Sequence, residues 1–139
     1  MTDLEIAERI AWHYIGTPYK WGGDDFSGFD CSGFVCEILQ SIGKIGRKED
    51  YNAQSLFKKF KDMKVNQGEL GVLVFFGLDE NHIYHIEFCL NEKLAVGASG
   101  GGAGCVTIED AIMQSAFIKI RPIFSRNDVV AFVNPFKET

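Results

Sequence analysis

Gly71-Val72-Leu73-Val74-Phe75-Phe76 is the point at which the hydrophobic period of the chain changes. A continuous apolar run of strand length predicts a central strand buried on both faces. Upstream, apolar residues repeat at helical spacing. Leu4, Ala7, Ile10, Ala11 and Tyr14 share one side of a first helix, opened by a Thr2–Glu5 capping box and ended by Gly16. Phe34, Val35, Ile38, Leu39 and Ile42 form the apolar side of a second helix, capped by Asp30 and stopped at Gly43. Asn52 caps a third helix, whose apolar face is Ala53, Leu56, Phe57 and Phe60. Downstream the period is two. Residues 84–90 place His85, Glu87 and Cys89 on one face of a strand and Ile86, Phe88 and Leu90 on the other. Asn91-Glu92 turns the chain into a third strand over 94–98. A short helix over 109–115 follows. Residues 117–120 and 129–133 read as closing strands around the turn Ser125-Arg126-Asn127-Asp128. Helices first and hairpin-linked strands afterwards imply an α+β fold, with the N-terminal helices packed on an antiparallel β-sheet.

The chain has 139 residues, a net charge of -5 and a hydrophobic fraction of 46% with 12 Phe, enough for one domain (1–139) around one core. The acidic balance argues against a nucleic-acid partner. Lys58, Lys59 and Lys61 alternate with Phe57 and Phe60 and read as the wet side of the third helix. No apolar run is long enough to cross a bilayer, so no membrane insertion is expected. Residues 1–8 are polar and acidic and lack the pattern of a secretory signal. The expectation is cytoplasmic synthesis, with release by lysis or carriage on a phage particle. The glycine-rich loop 99–104 is no phosphate loop, because neither Gly-Lys-Ser/Thr nor a helix follows it directly.

Four cysteines, Cys31, Cys36, Cys89 and Cys105, form no Cys-x-x-Cys pair, so no metal is expected and the thiols read as reduced. Cys31 differs from the others in its placement. It follows the Asp30 cap as the first residue of a helix, where unpaired N–H groups and the positive end of the helix dipole favour an anion. The thiolate is the nucleophilic form of cysteine. A cysteine nucleophile needs a base, itself oriented by a third group. Of His13, His82 and His85, only His85 sits on a strand that can aim it at a helix start; His13 reads as a surface residue and His82 as part of a solvated turn. Tyr19 and Trp21 stand in the Gly16–Gly23 loop and read as aromatic cleft-lining residues with polar tips.

Gly16-Thr17-Pro18-Tyr19-Lys20-Trp21-Gly22-Gly23, followed by Phe29-Asp30-Cys31-Ser32-Gly33-Phe34-Val35, resembles the signature of the NlpC/P60 peptidases. Leu70 to Phe76 and His85-Ile86 resemble that family's second block, and the 98–102 and 121–123 segments resemble small phage- or prophage-associated members. The resemblance implies a papain-like α+β domain, a peptidoglycan peptide as substrate and cleavage after γ-D-glutamyl. It implies Cys31 as nucleophile, His85 as general base, and Tyr19, Asp30 and Ser32 as substrate-contacting residues. No cofactor is implied; phage-tail or lysis components are the implied partners. Members usually carry a polar residue, often His, about twelve positions after the base to orient it. Gly97 stands there in this chain. Glu87, on the face of His85, is the candidate third catalytic member, with Ser99 as a second candidate. A bare dyad, or a degraded site in a wall-binding or phage-tail structural domain, are the alternatives. Amide chemistry on lipids or small molecules is a third reading.

Overall fold

The computed structural model describes residues 1–25, 28–101 and 103–137; Gly102 of the glycine-rich loop lies outside them. In chain order the elements are α1 (Asp3–Tyr14), β1 (Asp24–Asp25), β2 (Gly28–Phe29), α2 (Cys31–Ser41), α3 (Ala53–Phe60), β3 (Lys64–Val65), β4 (Leu73–Gly77), β5 (Ile83–Cys89), β6 (Leu94–Ser99), α4 (Ile108–Gln114), β7 (Phe117–Pro122) and β8 (Val129–Val133). The main sheet has the order β3-β8-β4-β5-β6-β7, and every neighbouring pair is antiparallel. This is the α+β architecture that the change of period implies.

Each helix start is fixed locally. Thr2 and Glu5 close a reciprocal capping box on α1, and Asn52 does the same with Ser55 on α3. Asp30 caps α2 by accepting the Gly33 N–H at 2.6 Å. Gly33 is obligatory there, since a Cβ would run into the Gly23 carbonyl oxygen. That close approach seats the first turn of α2 under the 21–23 turn.

Both faces of the sheet are buried. On the helix side Leu73, Phe75, Ile86, Phe88 and Val96 meet Phe34, Val35, Ile38 and Leu39 of α2 in the larger core. On the other side Val72, Val74, Phe76, Cys89 and Ala95 form a smaller cluster with Ile123 and Phe132. The expectation that β4 is buried on both faces is met at all five of its positions.

One expectation fails. The strands read as closing around 125–128 do not pair with each other. β7 pairs with β6 at one edge, while β8 crosses to lie between β3 and β4. Burial explains the placement. Ala131, Phe132 and Val133 are core residues and need neighbours on both sides, whereas β7 carries Lys119, Arg121 and Pro122, which suit an edge. The pairs β1–β2 and β3–β8 are only two residues long, too short to show a period in sequence.

Candidate active site

α2 lies against β5, and its first residue meets that strand near the strand's start. Cys31 is half-buried with a free thiol. His85, 8% exposed, hydrogen-bonds the Cys31 side chain. Its Nε2 lies 2.8 Å from Glu87 Oε2, which leaves Nδ1 as the ring nitrogen for the sulfur. The Phe76 ring, paired with His85 across the β4–β5 ladder, packs against the imidazole at 5.3 Å between centroids. His85 is therefore held at both nitrogens and on one face. Burial alone would lower its pKa; the hydrogen bonds and negative charges of Cys31 and Glu87 outweigh that and hold it up at about 9.

Glu87 is only 3% exposed, and a buried carboxylate needs partners. His85 is one. The charge of Arg126 acts on it as well. Room for it comes from the neighbouring strand. The register that pairs Phe88 with Val96 sets Gly97 opposite Glu87. A Cβ on Gly97 would stand 2.6 Å from Glu87 Cγ and 3.1 Å from its Cδ. The carboxylate arm thus fills the space that a side chain at 97 would occupy. The departure at 97 and the acidic residue at 87 are two halves of one arrangement.

The remaining expected residues surround Cys31. Tyr19 is buried, and burial, then the negative charges of Cys31 and Asp30, push its phenol far above the usual range, so it stays protonated and can donate. Asp30 Oδ1 accepts from Gly33 N and from Ser32 Oγ at 3.3 Å. Burial raises the Asp30 carboxyl, while the Gly33, Ser32 and Gly22 donors counter it. Tyr19, Asp30 and Ser32 line a cavity of about 440 Å3 with Cys31, Gln54 and Ile83. His82 is exposed and paired with Asp79 at 2.8 Å, and His13 is exposed on α1. Trp21 is half-exposed at the cleft rim.

A second cavity of about 250 Å3 lies on the His85 side of Cys31, and three of its residues escaped the sequence reading as a group: Ser99, Arg121 and Arg126. Arg126 binds Asp128 with both arms, at 2.8 and 2.9 Å, and stacks over Phe76 at 4.6 Å. That guanidinium, then the Tyr84 hydroxyl donating at 2.6 Å, holds the Asp128 carboxyl far below the usual range. The turn 125–128 was legible, but nothing local shows that its side chains reach β5. Among the described residues, no three His, Cys, Asp or Glu side chains are grouped to hold a metal ion.

The arrangement offers a sulfur nucleophile, a proton carrier touching it, a buried carboxylate orienting that carrier, and cavities on both sides. Comparison with known proteins identifies the family. The sequence profile described as the NlpC/P60 family matches residues 16–122. The chain is 28% identical over 119 residues to the probable peptidoglycan endopeptidase LytE of Bacillus subtilis, covering 84% of this chain and 34% of that protein. It is 29% identical over 117 residues to the gamma-D-glutamyl-L-lysine dipeptidyl-peptidase of the same species, covering 81% of this chain and 38% of that protein. The fold superposes on the peptidoglycan hydrolase RipB of Mycobacterium tuberculosis with a TM-score of 0.75 at 18% identity, over 98% of this chain and 66% of that one. The chain thus spans little more than a third of either curated relative.

Proposed function

The chain belongs to the NlpC/P60 family, and from that premise we propose that it is a cysteine peptidase that hydrolyses peptidoglycan peptides on the carbonyl side of a γ-D-glutamyl unit. The observation that carries the reading is the buried imidazole of His85 held between Cys31 and Glu87. The two curated relatives, one named a peptidoglycan endopeptidase and the other a γ-D-glutamyl-L-lysine dipeptidyl-peptidase, support the substrate class.

In this mechanism the Cys31 thiolate attacks the γ-carbonyl carbon. The developing oxyanion is met by N–H groups at the start of α2, where Asp30 occupies only that of Gly33 and leaves those of Cys31 and Ser32 nearest the sulfur. The Tyr19 hydroxyl adds a side-chain donor. His85, charged at neutral pH, gives its proton to the leaving amine as the C–N bond breaks and a thioester forms. The neutral imidazole then takes a proton from water, whose oxygen attacks the thioester carbonyl; the C–S bond breaks, the acid leaves, and the thiolate–imidazolium pair is restored. Glu87 acts through His85 and is a positioning residue, keeping Nε2 engaged so that Nδ1 faces the sulfur.

A wall-binding or phage-tail domain that keeps the cleft without cutting is the second reading, motivated by Gly97. The Glu87 arm beside Gly97 weighs against it. Release by lysis or carriage on a phage particle is the proposed route to the wall, and it rests on the resemblance to phage-associated members.

The test is digestion of purified murein and of L-Ala-γ-D-Glu-L-Lys, with products read by mass spectrometry. Wild type is expected to release the γ-D-glutamyl product, and Cys31→Ala to lose about 10⁴-fold or more in rate. Equal turnover by both proteins, or murein binding without turnover by wild type, overturns the proposal. Iodoacetamide at neutral pH is expected to label Cys31 in the folded protein. It should spare Cys89, whose thiol burial and then the Glu87 charge push up to about 12.

A further inference from the structure

The two sides of Cys31 differ in charge. On the Asp30 side, a cavity of about 310 Å3 is lined by Asp30, Asp50, Asn52 and Ser55 and by no cation. On the His85 side, the cavity is lined by two arginines. Arg126 is committed, bound to Asp128 by both arms and stacked on Phe76. Arg121 is not. Among the described residues no acceptor, carboxylate or aromatic ring engages it, in a chain whose net charge is -5.

A second group in the same cavity is also unsatisfied. Ser99 is 4% exposed, and its Oγ is a buried side-chain polar atom without a hydrogen-bond partner. A buried hydroxyl left unpaired loses its water contacts without replacement, so native proteins seldom keep one without a reason. β6 and β7 explain why the two groups converge. The register pairs Ala95 with Arg121 and Ser99 with Phe117, so Ser99 and Arg121 share the sheet face of His85 and Glu87. An unengaged guanidinium fork presents donors only, and the orphaned hydroxyl lining the same cavity can donate its O–H beside it, so a planar carboxylate matches both.

We propose that Arg121 and Ser99 form a carboxylate-binding subsite on the His85 side of Cys31, which selects substrates carrying a free carboxylate beside the scissile amide. The inference rests on the reading of the Cys31–His85 pair as hydrolytic. A γ-linked peptide offers two such carboxylates: the α-carboxylate of the glutamyl residue, and that of the residue after the cut. With its carboxylate on Arg121, the substrate presents its amine toward the acidic Asp30 side, so the cleft reads the peptide's direction by charge.

The test is calorimetric binding to the Cys31→Ala protein of L-Ala-γ-D-Glu-L-Lys in three forms: unmodified, amidated at the glutamyl α-carboxylate, and amidated at the lysine carboxylate. One amidation is expected to weaken binding by about 10- to 100-fold, the range of a charge-assisted hydrogen bond, and it identifies which carboxylate is read. Adding Arg121→Gln should remove that difference, and adding Ser99→Ala should shrink it. Arg121→Lys, which keeps the charge but not the fork, should retain part of it. The fitted stoichiometry counts the folded fraction, and the ratio between two peptides on one sample does not depend on it. Equal affinity for all three forms, a difference that persists in Arg121→Gln, or no binding of any form overturns the subsite. Hydrolysis by wild type is scored separately: turnover with equal affinities sustains the peptidase and removes the subsite, and discrimination without turnover does the reverse.

Discussion

The two faces of β5 are built for different purposes. Ile86 and Phe88 point into the helix-covered apolar core. His85 and Glu87 point the other way, and each is buried against a polar or charged partner. Alternating positions of one strand thus divide the work. Ile86 and Phe88 supply apolar burial, the dominant favourable contribution to folding. His85 and Glu87 bury ionisable groups that contribute little to net stability but fix the geometry of a reactive pair. Separating the tasks by strand face lets the sheet hold the site rigid without placing charge in the main core.

Substitutions on each face test this division. The largest expected effect is Phe88→Ala, which empties a fully buried aromatic site and should cost about 3–5 kcal/mol in chemical denaturation, while turnover per folded molecule stays near wild type. A comparable loss of turnover per folded molecule would break the division. Glu87→Gln is the reverse case, nearly isosteric, and should lower kcat by about 10²-fold with little change in the denaturation midpoint.

The pH profile sharpens it. His85 is protonated in the folded enzyme up to about 9, so activity that needs the imidazolium should fall as pH rises through that value. Glu87→Gln removes one of the interactions raising His85, so its falling limb should move to lower pH. A limb that stays in place would assign Glu87 a packing role alone. The smallest effect is Gly97→Ala. Its methyl would meet Glu87 at 2.6 Å and, by displacing the carboxylate, should slow turnover by about 10-fold. Unchanged turnover in this variant would separate the glycine from the site.

Much of this was legible in the sequence because it is local. The Asp30 cap and the Cys31 position are adjacent in the chain. The alternation that puts His85 and Glu87 on one face follows from the period of a strand. The Glu87–Gly97 fit was half legible. Gly97 departs from the family pattern and Glu87 shares the face of His85, but only the β5–β6 register sets the two face to face. Arg121, Arg126 and Ser99 were not legible as a group. They come from β7, a turn and β6: the β6–β7 register brings Ser99 and Arg121 to one face, and β8 crossing to β4, a pairing between segments distant in sequence, brings Arg126 to them. No local period encodes that crossing, and adjacency in the chain alone points 129–133 to 117–120 rather than to β4.

That crossing also orders events during synthesis. A ribosome releases the chain from its amino end, so β4, β5, β6 and β7 emerge before β8 exists. Until the last strand arrives, one side of β4 is an unpaired ladder of amides, open to wrong partners. The same late segment delivers Arg126 to Phe76 and to the field around Glu87. A nascent or prematurely ended chain therefore holds its sulfur and imidazole in an unfinished scaffold, and maturation of the reactive pair coincides with translation of the final strand.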